Sequence, residues 1–87
     1  MHGTVGGQLD EMSRLAGTFA TNAAHMEQLR GSIDQTLAAT TWSGPAAERF
    51  RAQWSQFAPV LGRLHEALTD AGTEVGRRRS ALEAATS

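Results

Sequence analysis

The chain reads as all-α: an antiparallel helix-turn-helix hairpin that pairs into a four-helix bundle as a dimer. Three features of its 87 residues predict this. Two long stretches carry apolar residues at alternating spacings of three and four, the repeat of a helix face. A short break, Thr40 to Gly44, separates them near the midpoint. The apolar sectors of both stretches are wider than a single helix–helix seam covers.

The first helix is placed at residues 8–39, about 45–50 Å long at a rise of about 1.5 Å per residue. Its stripe runs Met12, Ala16, Phe19, Ala23, Met26, Arg30, Ile33 and Leu37, broken only by Arg30. Leu9 extends it backward, and Leu15 and Leu29 widen it. Glu11, Arg14, Glu27, Gln28 and Asp34 fall mostly off the stripe. Asp10 and Glu11 are expected near the helix start, where negative charge complements the dipole.

The elbow covers residues 40–44 and contains Trp42-Ser43-Gly44. So short a connection makes the two helices antiparallel neighbours. Gly44 tolerates a backbone conformation that other residues resist. Pro45 suits a first helical position, with Ser43 or Gly44 as the cap. Glu48 puts a negative charge in the first turn. Taken alone, Trp-Ser-Gly is a turn with an aromatic plug, the Trp42 ring folding onto the end of the hairpin.

The second helix is placed at residues 45–82. Its stripe is Ala47, Phe50, Trp54, Phe57, Leu61, Leu64, Leu68, Ala71, Val75, Arg78 and Leu82. Pro59 has no N–H for the Ser55 carbonyl, but the heptad phase passes through it, which predicts a kink rather than a stop. Gly62, Gly72 and Gly76 each cost up to about 1 kcal/mol relative to Ala. The C-terminal half is therefore expected to be the weaker one, frayed beyond Ser80.

A lone hairpin would leave much of this surface wet. Ala46, Ala58, Val60 and Ala67 flank the second stripe, and exposed apolar area of that extent marks a partner surface. The residues assigned to the hairpin or dimer interface are Met12, Phe19, Met26, Ile33, Leu37, Phe50, Trp54, Phe57, Leu61, Leu64, Leu68 and Val75. Trp54 and Phe57 are the aromatic anchors expected at such an interface.

Composition removes other classes. There is no Cys, so neither a disulfide nor a thiolate zinc site staples this small domain. Net charge is −1, which argues against nucleic acid and anionic membranes as partners. No apolar run approaches the roughly 20 residues of a membrane span. The first residues lack the basic start and apolar core of a signal peptide. All basic residues are Arg and Ala is abundant, which suggests GC-rich coding and an actinobacterial source.

His65-Glu66-Ala67-Leu68-Thr69 opens like a metalloprotease helix but has Thr where a second His is needed, so no zinc site is expected and His65 reads as a surface residue. His2 and His25 are isolated. Arg77-Arg78-Arg79 reads first as a cationic helix end complementing the dipole, and second as a dock for an acidic partner or membrane surface. No nucleophile–base pair, paired carboxylates or phosphate loop is present. No enzyme and no cofactor are expected.

Trp42-Ser43-Gly44 at the midpoint, followed by Pro45-Ala46-Ala47-Glu48-Arg49-Phe50 and Trp54, resembles the WXG100 family of early-secreted-antigen-like proteins. The resemblance covers nearly the whole chain. It implies a type VII secretion substrate, exported from the cytoplasm as a folded homodimer or heterodimer without a cleaved signal peptide. The family's second signal, Tyr-x-x-x-Asp/Glu after the second helix, is read by the secretion ATPase. Here there is no Tyr, and the nearest echo, Arg79-Ser80-Ala81-Leu82-Glu83, has Arg in the aromatic position. The resemblance thus implies that this chain contributes Trp42 and Gly44 while a partner contributes the tail signal. The alternative is an export partner that pairs with the helical leader of a larger toxin. A membrane-active hairpin ranks last, because the polar faces mix Glu, Asp and Arg rather than presenting a cationic stripe.

Overall fold

A computed structural model describes residues 5–87. His2 and the rest of residues 1–4, read above as lacking a signal-peptide pattern, lie outside the described residues. Two helices, α1 (Val5–Ala39) and α2 (Pro45–Thr86), form an antiparallel hairpin measuring 64 × 16 × 15 Å. Among the described residues there is no strand.

Both helices are longer than expected. Because α1 begins at Val5 rather than at residue 8, Asp10 and Glu11 fall beyond its first turn, which holds no acidic residue. Helix α2 runs through Pro59 and on to Thr86 rather than ending at residue 82. Packing offsets the glycine cost in this half, since the α1 backbone covers Gly72 closely. Ion pairs one turn apart, Arg78–Glu74 and Arg79–Glu83, add to it. The last turn of α2 holds no basic residue, so Arg77, Arg78 and Arg79 do not cap the dipole.

The elbow explains its own glycine. Gly44 is the N-cap of α2 with φ 105° and ψ 175°, a region open essentially to glycine alone. No side chain caps this end, Ser43 included; the Glu48 N–H instead donates to the Gly44 carbonyl at 3.0 Å. Pro45, lacking an N–H, occupies the start of the helix, where one would go unused.

The seam follows one register along its length. Trp54 lies level with Asp34, and its Nε1 donates to that carboxylate at 2.6 Å. The His65 Nδ1–H donates to the Ala23 carbonyl at 2.8 Å. Arg79 Nε donates to the Leu9 carbonyl at 3.2 Å. Thus His65 and Arg79, two heptads apart on α2, grip two α1 carbonyls two heptads apart. Midway between them a Cβ on Gly72 would stand 3.3 Å from the Ala16 carbonyl and 3.2 Å from Phe19 Cβ. The helices approach so closely here that only a hydrogen or a donor to the α1 backbone fits. His65 is accordingly a half-buried seam residue, not a surface one.

Candidate association surface

The α1 stripe sits where its periodicity puts it. Met12, Phe19, Met26, Ile33 and Leu37 are half-buried against α2, and Ala23 is buried. Arg30 stays in the stripe by turning its guanidinium along the seam to Glu27 and Asp34.

Helix α2 differs from the sequence reading at four alternate members, Phe50, Phe57, Leu64 and Arg78, which are exposed, while Ala71 is half-buried. Ala47, Trp54, Leu61, Leu68, Val75 and Leu82 face α1 as expected. The seam positions between them are Arg51, Ala58, His65, Gly72 and Arg79, each one residue after Phe50, Phe57, Leu64, Ala71 and Arg78. At the Ala58 and Gly72 positions the seam accepts a small residue, and a Cβ on Gly72 would already stand 3.2 Å from Phe19 Cβ. Phe50, Phe57 and Leu64 are displaced onto the flank.

Heptad geometry gathers the displaced side chains. In an antiparallel pair, equivalent positions flank the seam on the same side. Leu15 and Leu29 of α1 hold the position equivalent to that of Phe50, Phe57 and Leu64. All five lie on one side of the seam, half-buried Val60 lies on that side too, and Trp42 closes its elbow end with its ring centroid 5.7 Å from that of Phe50. Trp42 and the five ridge side chains are 42–52 % exposed. The Trp54 and Phe57 rings, 5.9 Å apart, link seam to ridge. Large apolar side chains left exposed together on one side of a hairpin make it a candidate interaction surface.

The opposite side has a different character. Between Met12 and Thr69 the carboxylates Glu27, Asp34, Glu48 and Glu66 all occupy heptad positions on that side. A shallow groove there is lined mostly by small residues, Ala16, Ala20, Ala23, Ala24, Thr69, Gly72 and Thr73, with His65. Beyond the ridge, Glu74 accepts from Arg78 at 2.6 Å and sits 3.8 Å from Arg77. The Arg78 hydrogen bond, and then its charge, hold the Glu74 carboxyl below the usual glutamate range. Among the described residues no three His, Asp or Glu side chains converge as metal ligands, and no helix is long and apolar enough to cross a membrane.

The elbow therefore presents Trp42 and Gly44 between two long helices, with a glycine that the backbone requires. The model of the WXG100 family, described as proteins of 100 residues with WXG, matches residues 7–86. The chain belongs to the WXG100 family. Membership makes it a small secreted-type protein of the type VII secretion system, from a family that is non-enzymatic. No curated protein and no solved structure matches it. What sequence reasoning missed in this WXG100 chain is the seam role of His65 and Arg79. The signal was the small residues Ala58 and Gly72 repeating in the same heptad position.

Proposed function

We propose that this WXG100 protein leaves the cell through type VII secretion as a folded dimer, and that its ridge is the dimer interface. The observation that carries the reading is the ridge itself: Leu15, Leu29, Phe50, Phe57 and Leu64, half-exposed on one side. The hairpin seam is already filled, so intramolecular packing offers these side chains nothing more. Burying a half-exposed Phe against a partner removes on the order of 100 Å² of apolar surface, or about 2.5 kcal/mol. Trp42 and Gly44 supply the elbow half of the export signal read by the secretion ATPase.

A second reading is that the chain is the export partner of a larger toxin and pairs with the toxin's helical leader. Position 79 favours it. Where the family's tail signal has an aromatic, Arg79 is tied to the Leu9 carbonyl and Glu83, which suits hairpin closure rather than recognition. The tail signal would then come from the partner.

Export from a type VII-competent bacterium tests the proposal. A tagged chain should reach the culture medium when the secretion ATPase is present and stay in the cells when it is deleted. Phe57→Ser should block export without lowering the helicity of the purified chain. Equal export of the wild type with and without the ATPase would overturn the reading.

A further inference from the structure

The contacts of Trp54 join the two sides of the hairpin. We infer that Asp34 is a positioning residue for the association face: from the opposite side its carboxylate holds the Trp54 indole, and Trp54 in turn steadies Phe57. The inference rests on the ridge being an association face and names what keeps one of its aromatic side chains in place.

Asp34 lies in the row of carboxylates on the side away from the ridge, four residues after Arg30 on α1. Arg30 Nε stands 3.8 Å from Asp34 Oδ2, and Arg30 Nη1 stands 3.9 Å from Glu27. The same guanidinium reaches across to Gly62 of α2, where a Cβ would lie 4.0 Å from Nη1. With Oδ2 turned toward Arg30, Oδ1 is left for the Trp54 N–H. That bond crosses the seam at 2.6 Å, short as hydrogen bonds to a charged acceptor are. Trp54 then meets Phe57, one turn on, with ring centroids 5.9 Å apart and planes inclined by 38°. This is an arrangement that aromatic pairs favour.

The two ends of this chain of contacts differ in what fixes them. Phe57 is 52 % exposed, so the hairpin packs its ring only in part. Trp54 is half-buried, has few side-chain torsions to settle, and carries one N–H that a half-buried indole must place on an acceptor. Asp34 supplies that acceptor and so chooses the orientation of the ring against which Phe57 rests. A side chain already held in place loses less freedom when a partner covers it. Removing the Asp34 carboxylate should therefore weaken association without touching the face that associates. Trp42 is the internal contrast: it is exposed, and among the described residues its indole N–H makes no hydrogen bond.

The test compares Asp34→Ala, Asp34→Asn and Trp54→Phe in the full chain by sedimentation equilibrium, with circular dichroism reporting helicity and NMR reporting the rings. Asp34→Ala should weaken self-association about three- to tenfold at unchanged helicity. Asp34→Asn keeps a carbonyl acceptor for the indole and should stay within about twofold of wild type. In the Trp54→Phe background, which has no N–H to hold, Asp34→Ala should change nothing further. By NMR the Trp54 Nε1–H should exchange with solvent more slowly than that of Trp42. Asp34→Ala should remove this difference together with the Trp54–Phe57 nuclear Overhauser contacts. An Asp34→Ala chain that associates like wild type, or that loses as much in the Trp54→Phe background, would overturn the positioning role. Failure of the broader reading looks different: a Phe57→Ser chain that associates as tightly as wild type would overturn the ridge itself, and this inference with it. If the wild type stays monomeric, Trp54–Phe57 contacts that survive in Asp34→Ala would still overturn the positioning, and their loss would support it.

Discussion

Of the described glycines Gly72 is the one most closely covered by the other helix, and replacing it with Ala measures how closely the helices approach. Two effects oppose each other. Exchanging Gly for Ala inside a helix gains about 1 kcal/mol from the backbone. The added Cβ would lie 3.2 Å from Phe19 Cβ and 3.3 Å from the Ala16 carbonyl, inside the 3.5–4.0 Å at which carbon atoms pack without strain. Neither neighbour is the far end of a flexible side chain, so α1 itself must move. Overpacking of this kind costs about 1–3 kcal/mol, enough to cancel or outweigh the gain. Gly76, one turn on, is the internal control, since a Cβ there meets nothing within 4 Å. Gly76→Ala should therefore be stabilising by about 0.5–1 kcal/mol, which for a small domain is a rise of several degrees in melting temperature. Gly72→Ala should be neutral to destabilising by about 2 kcal/mol. The assay is urea and thermal denaturation followed by circular dichroism, both variants at one protein concentration because association adds its own stability. Equal stabilisation by the two substitutions would refute the close approach and, with it, the reason that Phe50, Phe57 and Leu64 are excluded from the seam.

Gly44→Ala forces a side chain into a backbone region reserved for glycine and should cost about 1–3 kcal/mol, read as a lower urea midpoint. Leu61→Ala, at the buried centre of the seam, should cost about 2–3 kcal/mol in the same experiment; a loss below about 0.5 kcal/mol would contradict the seam as drawn. The Glu74 carboxyl should titrate by NMR below the usual glutamate value and return toward it in Arg78→Gln. Because its folded pKa is depressed, the small stability it contributes is present above the unfolded value and disappears as pH falls through the folded one.

Much of this molecule is legible in its sequence, and the parts that are not share one cause. The α1 stripe from Met12 to Leu37 reads correctly because its large apolar residues do face α2. The elbow reads correctly because Gly44 and Pro45 have backbone reasons for being there. Helix α2 misleads at four members of its stripe because periodicity ranks positions by apolarity, while a close seam selects by size and hydrogen bonding. Phe57 outranks Ala58, and Leu64 outranks His65, yet the smaller residue and the donor are the ones that fit. Likewise, Arg78 and Arg79 are equivalent as letters. Only the Leu9 carbonyl across the seam separates them. The displaced residues were legible as apolar excess, and that excess is now located on one side.

The central claim is that this side is where the protein associates. Sedimentation equilibrium of the wild type beside Phe57→Ser/Leu64→Ser tests it most directly, with helicity measured on the same samples. The account predicts a helical wild-type assembly at twice the 9.3 kDa chain mass and an equally helical double variant that sediments as a monomer. A wild type that stays a helical monomer at every concentration, or a double variant that dimerises as tightly as the wild type, would contradict it.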